Sequence, residues 1–167
     1  MHKDKHVFNT PHRIALVGLI VAGTSAVALA DPEHGHGMKG GEPGQLSEVT
    51  RTIRIEARDI AFDKARIEVK EGETVRFVIT NVGELVHDFT LGPPDVQERH
   101  RYEMVKMMQD GMMDGAMTHD DPNAVLVKPG ETKELIWKFS EADDFEFGCN
   151  QHGHYEVGMK GRIHIED

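Results

Sequence analysis

The sequence predicts an all-β protein, a Greek-key antiparallel β-sandwich with one short helical, methionine-rich insertion. Two observations support this fold class. First, about seven or eight short segments alternate apolar and polar residues, which is the period of half-buried strands. Second, clusters of glycine, proline and charged residues separate these segments, whereas one segment in the middle of the chain is long and free of both glycine and proline.

The strands of the first half are predicted from this alternation. Residues 52–58 read Thr-Ile-Arg-Ile-Glu-Ala-Arg, so every second side chain is apolar and one face of the strand is suited to a core. Turn signals at residues 70–73 and 81–83 divide the segments that follow. The expected strands are residues 52–58, 67–69, 75–79 and 85–91.

The second half of the chain begins with the long segment that contains neither glycine nor proline. Residues 96–109 contain no glycine or proline and predict a helix, which Gly111 and Gly115 then interrupt. Alternation resumes afterwards, with a turn at residues 128–131. The expected strands are residues 124–127, 135–139, 145–147 and 162–165.

The N-terminus predicts export. Residues 1–30 combine early positive charges, an uncharged apolar run at residues 14–27 and the small-x-small sequence Ala28-Leu29-Ala30, which is the layout of a cleavable signal peptide. The alternative is an uncleaved membrane anchor, but the apolar run is shorter than the ~20 residues that span a bilayer. We therefore expect a signal peptide at residues 1–30, a flexible His/Gly-rich tail at 31–48, a folded domain at 49–167 and a periplasmic location, with no stable membrane insertion after cleavage.

The charge of the chain excludes some partners. Loss of residues 1–30 removes three basic residues and one acidic residue, so the formal net charge goes from −10 to −12. Such an acidic surface argues against nucleic acid and anionic membranes, whose phosphates attract basic proteins. It suits a soluble protein that meets metal cations or a basic protein partner.

The single cysteine, Cys149, stands in the segment richest in metal donors. This segment also contains His152, His154 and Met159, and the isolated His87 lies in an apolar strand upstream. One thiolate with two imidazoles and a weak axial thioether is the ligand set of an electron-transfer copper site. A zinc site is the less suitable alternative because zinc is bound by Cys, His and carboxylate rather than by Met. Without a metal, Cys149 would be a packed small side chain.

An upstream His followed by Cys-x4-His-x4-Met before a final strand resembles the cupredoxins, the plastocyanin and azurin type of blue copper protein. The resemblance covers residues 52–167. The sequences His-Tyr-Glu-x-Gly-Met at 154–159 and Val-His-Asp-Phe at 86–89 are most similar to periplasmic copper-tolerance cupredoxins of the CopI type. That family usually has Cys-x-x-Pro-Gly-His, and here His152 stands in place of the proline.

The resemblance implies one type 1 copper bound by His87, Cys149, His154 and Met159. His154 is preferred over His152 because it has the family's spacing to Met159, and His152 is left as an alternative ligand or transient copper acceptor. Two polar residues near His87 are expected to orient the ligand loops by hydrogen bonds, although both could equally be ordinary turn or strand residues: Asn81 and Asp88.

Further soft donors lie outside this constellation. Six of the nine methionines fall between residues 104 and 117, and a His-Gly-His-Gly-Met sequence lies in the tail. The first methionines have helical spacing and could simply pack against the domain. We nevertheless predict auxiliary, weaker copper binding by these groups: His34, His36, Met38, Met107, Met108, Met112, Met113, Met117, His119 and His152.

Two functions follow from these features, and a third is not expected. The resemblance and the spare donors favour a redox-active copper protein that sequesters or shuttles copper in copper tolerance, with a copper-delivery or redox protein as partner. The alternative is a soluble electron carrier between larger redox proteins. An enzyme is not expected, because the chain is short and contains a single set of blue-copper ligands.

Overall fold

The computed structural model describes residues 38–109, 121–142 and 144–167. Ten strands and one helix occur within these ranges, together with a single 3-10 turn at Leu46–Glu48. The elements are β1 (Gly41–Pro43), β2 (Arg51–Arg58), β3 (Ala61–Phe62), β4 (Arg66–Lys70), β5 (Thr74–Asn81), β6 (His87–Gly92), α1 (Pro94–Gln109), β7 (Ala124–Val127), β8 (Thr132–Phe139), β9 (Phe145–Gly148) and β10 (Lys160–Glu166).

The strands form two five-stranded sheets, in the orders β1-β8-β5-β2-β3 and β4-β10-β9-β6-β7. This confirms the predicted sandwich with a helical insertion. Both sheets are mixed, however, because β2 pairs with β5 in parallel and β4 pairs with β10 in parallel. The prediction of wholly antiparallel sheets is wrong in these two pairs, since alternation shows which side chains face the core but not the direction of the neighbouring strand.

The core lies between the sheets and is rich in phenylalanine. Phe89 contacts Phe77 at a centroid distance of 5.5 Å and stacks on Phe147 at 5.4 Å. Trp137 is also buried and donates its Nε1–H to the carbonyl of Gly40. Aromatic pairs of this kind add about 0.5–1.5 kcal/mol each to the free energy gained by burying their area. The packed rings therefore make a rigid support for the strand ends that carry the metal donors.

Part of the predicted flexible tail belongs to the sandwich. Gly41–Pro43 forms β1 and pairs antiparallel with β8, with Gly41 opposite Phe139. Met38 packs against the core. The tail prediction is therefore wrong from residue 38 onward, because a glycine-rich segment without an apolar period can still add a strand by backbone hydrogen bonds alone. The remainder of the tail and the predicted signal peptide lie outside the described residues.

Helix α1 leaves the sandwich directly after β6. Gly92 has φ +156°, and a Cβ atom there would lie 2.7 Å from Val96 Cγ1, so only glycine allows this sharp entry into the helix. Pro94 follows as the first helical residue, where its missing N–H costs nothing. The helix buries Val96, Gln97, His100 and Met104. Among the described residues, no helix has the length and apolar character needed to cross a membrane.

Candidate metal centre

Three of the four predicted ligands lie at the ends of three neighbouring strands, and His154 lies in the loop between two of them. His87 is the first residue of β6, and Cys149 directly follows β9, which pairs with β6 through Thr90 and Gly148. Met159 directly precedes β10, which pairs with the other side of β9. Because β9 is hydrogen-bonded on both sides, the register of the second sheet brings these residues to one end of the sandwich.

Three of the donors meet around the cysteine sulfur. Cys149 Sγ lies 3.7 Å from His87 Nδ1 and 3.4 Å from His154 Nδ1, and the three donor atoms all lie within 4.8 Å of one another. The two imidazole rings are 5.2 Å apart between centroids. His87 and Cys149 are completely buried, whereas His154 is half-buried. We call these three residues and Met159 the sulfur centre.

The spacing fits a bound metal ion. With metal–nitrogen and metal–sulfur bonds of about 2.0 and about 2.3 Å, a trigonal arrangement would separate N from S by about 3.7 Å. The observed separations of 3.7 and 3.4 Å are close to this value. One thiolate and two imidazoles with a thioether nearby form the donor set of a trigonal copper site.

The loop between Cys149 and Met159 is closed by backbone hydrogen bonds. Cys149 N–H donates to the carbonyl of Met159 at 3.0 Å, and Met159 N–H donates to the carbonyl of His154 at 2.9 Å. Met159 is completely buried and belongs to the core cluster. His152, in contrast, is exposed. The structure therefore places His154, rather than His152, beside the sulfur, although its binding of copper stays a prediction.

Asp88 links the ligand segments. Its completely buried carboxyl group accepts hydrogen bonds from the backbone N–H of Asn150 at 2.7 Å and of Gln151 at 3.1 Å, and from the hydroxyl of Thr90 at 2.8 Å. The Cys149 thiol also lies 3.4 Å from Asp88 Oδ1. These contacts tie the start of the Cys149 loop to β6, the strand that carries His87, and the orienting role of Asp88 stays a prediction.

Asn81 organises the turn before His87. Its side-chain amide donates to the carbonyls of Leu85 at 2.7 Å and Val127 at 2.9 Å, and its oxygen accepts from Gly83 N–H at 2.9 Å. All these contacts hold backbone groups rather than ligand side chains. Asn81 therefore acts on His87 indirectly, by fixing the path of the chain into β6.

Burial dominates the electrostatics of the centre. Burial raises the pKa of the Cys149 thiol, and the neighbouring Asp88 carboxyl raises it further. Burial also lowers the pKa of His87, and the nearby His154 contributes in the same direction. Without metal, the site thus favours a protonated thiol and a neutral imidazole. Metal binding must release the thiol proton, which makes metal affinity depend on pH.

Two residues of α1 that the sequence did not suggest also support the loop. Gln97 is buried; it accepts a hydrogen bond from Asn150 Nδ2 at 2.8 Å and donates one to the carbonyl of Thr90 at 2.8 Å. Arg101 donates to Asn150 Oδ1 at 3.3 Å and places its guanidinium 3.9 Å from the centroid of the Tyr155 ring. The signal was present in the sequence, since residues 97, 101 and 104 have the spacing of one helix face.

Tyr155 belongs to the ligand loop and packs against β9. A Cβ atom on Gly148 would lie 2.9 Å from the Tyr155 ring, so glycine before Cys149 makes room for it. The Tyr155 hydroxyl donates to Glu146. Burial, together with this hydrogen bond, raises the pKa of Tyr155 to about 12. Tyr155 thus stays neutral at ordinary pH and fills the space between β9 and the loop.

The predicted auxiliary donors are only partly described. Met107 is half-buried and Met108 is 43% exposed on α1. Met38 has its sulfur close to Gly92 and packs on the core, which gives it a structural role. None of these three methionines belongs to the sulfur centre. The other predicted auxiliary residues of the tail and insertion lie outside the described residues: His34, His36, Met112, Met113, Met117 and His119.

A β-sandwich that carries a buried cysteine between two histidines at one end defines a protein of the blue-copper class. Residues 49–166 match the family described as copper binding proteins, plastocyanin/azurin family. The chain therefore belongs to the plastocyanin/azurin family of copper-binding proteins.

Curated relatives cover nearly the whole chain. The copper-resistant cuproprotein CopI of Pseudomonas aeruginosa is 39% identical over an alignment of 178 positions, which covers 93% of this chain and 98% of that protein. CopI of Rubrivivax gelatinosus is 39% identical over 151 residues, 84% of this chain and 87% of that protein. Among solved structures, auracyanin B has the same fold, with a TM-score of 0.60, 20% identity and coverage of 77% of this chain and 97% of its own.

Proposed function

We propose that this protein is a periplasmic, redox-active type 1 copper protein that sequesters or shuttles copper in copper tolerance. It binds one copper ion through His87, Cys149, His154 and Met159. The observation that carries the proposal is the buried His–Cys–His cluster, found in a chain that is similar over almost its whole length to a copper-resistance protein.

The geometry of the sulfur centre explains how the chain would hold copper. Cys149 would hold the metal through its thiolate, His87 and His154 through imidazole nitrogens, and Met159 through its thioether sulfur. Bound copper would supply one-electron redox chemistry, and the hydrogen bonds that Asp88 accepts and Asn81 donates would hold the backbone of the ligand segments in place in both oxidation states.

Export is part of the proposal. The sequence of residues 1–30 has the features of a signal peptide, and a lone cysteine in an oxidising compartment is protected when it is buried and bound to metal. Cell fractionation tests the location. Recovery of the processed chain from the periplasmic fraction is expected, and recovery of the unprocessed chain from the cytosol would contradict the assignment.

A complementation experiment tests the role in copper tolerance. We expect deletion of the gene to slow growth in excess copper, and the native chain to restore growth. Cys149→Ser should not restore growth because it lacks the thiolate. The matched control is His164→Gln, which changes an exposed histidine on β10 outside the sulfur centre and should restore growth fully. Full rescue by Cys149→Ser would contradict the proposal.

An electron-carrier role is the second candidate. Exposed apolar side chains flank the ligand segments, since Leu85 and Val86 precede His87 and Val157 lies between His154 and Met159. Such residues would suit brief docking of a redox partner. Loss of respiration after gene deletion, without copper sensitivity, would favour this role. Steady turnover of a phenol or nitrite by the pure copper-loaded protein would contradict both non-enzymatic roles.

A further inference from the structure

A second group of donors lies on the other side of Asp88 from the sulfur centre. His100 and Glu103 of α1 meet Asp121, the first described residue before β7, and their donor atoms all lie within 4.8 Å of one another. His100 Nδ1 is 3.3 Å from Asp121 Oδ2. We call these three residues the carboxylate cluster.

The cluster is open on one side and anchored on the other. His100 is 4% exposed, whereas Glu103 is exposed and the Asp121 side chain is 48% exposed. His100 and Glu103 are three residues apart on α1, so the helix places both side chains on one face. An ion could therefore enter from solvent and find a buried imidazole as its fixed ligand.

The surroundings of His100 match those of a metal-binding histidine. Its Nδ1 faces Asp121 of the cluster, and its Nε2 faces Asp88 Oδ2 at 3.8 Å. Metal-ligating histidines commonly direct their second ring nitrogen toward a carboxylate, which orients the ring and increases its basicity. Asp88 is completely buried and held by Thr90 and Asn150, so it provides a fixed partner.

We propose that His100, Glu103 and Asp121 form a second metal site, which takes a divalent transition-metal ion. One imidazole and two carboxylates suit Cu(II) or Zn(II), and Cu(II) should bind more tightly because it stands highest in the affinity order of the divalent first-row metals. The cluster contains no sulfur, so it does not favour Cu(I). The proposal goes beyond the role in copper tolerance and does not depend on it.

Titration of the copper-loaded protein with Zn(II) tests this site. The test variant is Glu103→Gln/Asp121→Asn, and the control is Glu98→Gln/Asp144→Asn, which removes the same two charges from exposed positions outside the cluster. Calorimetry should show one Zn(II) equivalent in the native and control proteins that binds about tenfold or more weakly in the test variant. An unchanged isotherm in the test variant would overturn the proposal.

Nuclear magnetic resonance gives a second readout at the residue itself. The ring signals of His100 should shift as Zn(II) is added to the native and control proteins, and they should stay in place in the test variant. Retention of the visible band of the sulfur centre in the test variant checks that the domain is intact. Ring signals of His100 that do not move in the native protein would show that His100 and Asp121 form only an ion pair, and this too would overturn the proposal.

Discussion

The sulfur centre and the carboxylate cluster share one buried neighbour, Asp88, but differ in almost every other respect. In the sulfur centre, Cys149 and His87 are completely buried, and a hydrogen-bond network fixes the backbone around them. In the carboxylate cluster, only His100 is buried, and its two carboxylate partners are exposed. The first arrangement holds soft donors in a dry, prearranged geometry, whereas the second offers hard donors at the protein surface.

This difference predicts that the sulfur centre retains a bound ion, whereas the carboxylate cluster exchanges it. Burial raises the pKa of the Cys149 thiol, so an ion enters the sulfur centre only when that proton leaves, and it then sits in a protected environment. The carboxylates of the cluster are exposed, so water competes with them for the ion. We therefore expect slow, tight binding at the sulfur centre and faster, weaker binding at the cluster.

The largest expected effect comes from removing the sulfur. Cys149→Ser should abolish the intense visible absorption of the copper-loaded protein, because that band requires a copper–thiolate bond. Absorption and electron paramagnetic resonance spectra measure this directly. A variant that keeps the band would show that copper is not bound by the cysteine, and the contrast between the two sites would no longer hold.

A pair of histidine variants tests which imidazole completes the sulfur centre. His154→Gln should weaken copper binding by more than about 100-fold, since loss of a residue that merely supports a ligand already costs about 10–100-fold. His152→Gln is the matched control, because His152 is exposed two residues away and should leave the affinity unchanged. Competition with a copper chelator measures both affinities. The reverse ranking would assign the ligand to His152.

The shared residue Asp88 should matter for stability even without metal. Asp88→Ala leaves the N–H groups of Asn150 and Gln151 and the Thr90 hydroxyl without their acceptor, at a cost of about 2–4 kcal/mol in the free energy of unfolding. Asp88→Asn keeps one acceptor oxygen and should cost about 1 kcal/mol. Urea denaturation of the metal-free proteins compares the two. Equal losses would mean that the acceptor oxygen retained by asparagine does not stabilise the fold, which would contradict the role assigned to these hydrogen bonds.

Gln97 tests the contribution of α1 to the sulfur centre. Gln97→Met has a similar volume but removes the hydrogen bonds to Asn150 and Thr90, so the metal-free protein should lose about 1–3 kcal/mol of unfolding free energy. Glu98→Gln, an exposed neighbour on the same helix, is the control. If both variants unfold at the same urea concentration as the native protein, the hydrogen bonds of Gln97 do not stabilise the ligand loop.

The smallest effect is expected when a residue of the carboxylate cluster is changed and the absorption of the sulfur centre is measured. Glu103→Gln should leave the visible band unchanged, because Glu103 belongs only to the carboxylate cluster. Absorption of the copper-loaded variant checks this. A displaced band would mean that the cluster acts on the sulfur centre through His100 and Asp88, and that the two sites cannot be treated separately.

The fold was predictable where side-chain alternation carries the information. The alternating segments in residues 52–58 and 75–79 became β2 and β5, and the uninterrupted segment at 96–109 became most of α1. Alternation does not give strand direction, so the parallel pairing of β2 with β5 was missed. It also says nothing about Gly41–Pro43, whose pairing depends on the backbone of β8.

Prediction of the sulfur centre and its surroundings from the sequence has the same limit. Cys149 and His154 are five residues apart, and their proposed role as metal ligands could be predicted from one short segment. The roles of Gln97 and His100 were missed because helical spacing shows which residues share a face of α1 but not what that face packs against. A histidine on a helix face looks alike in sequence whether it faces solvent or a buried carboxyl group.

The spacing of the ligands has a consequence for the order of assembly. His154 follows Cys149 by five residues, while His87 lies 62 residues before it. Closing a short loop costs less entropy than closing a long one, so the segment from Cys149 to Met159 can chelate an ion before the sandwich forms. His87 would join only when β6 pairs with β9, so copper captured early would meet its full set of proposed ligands when the second sheet forms.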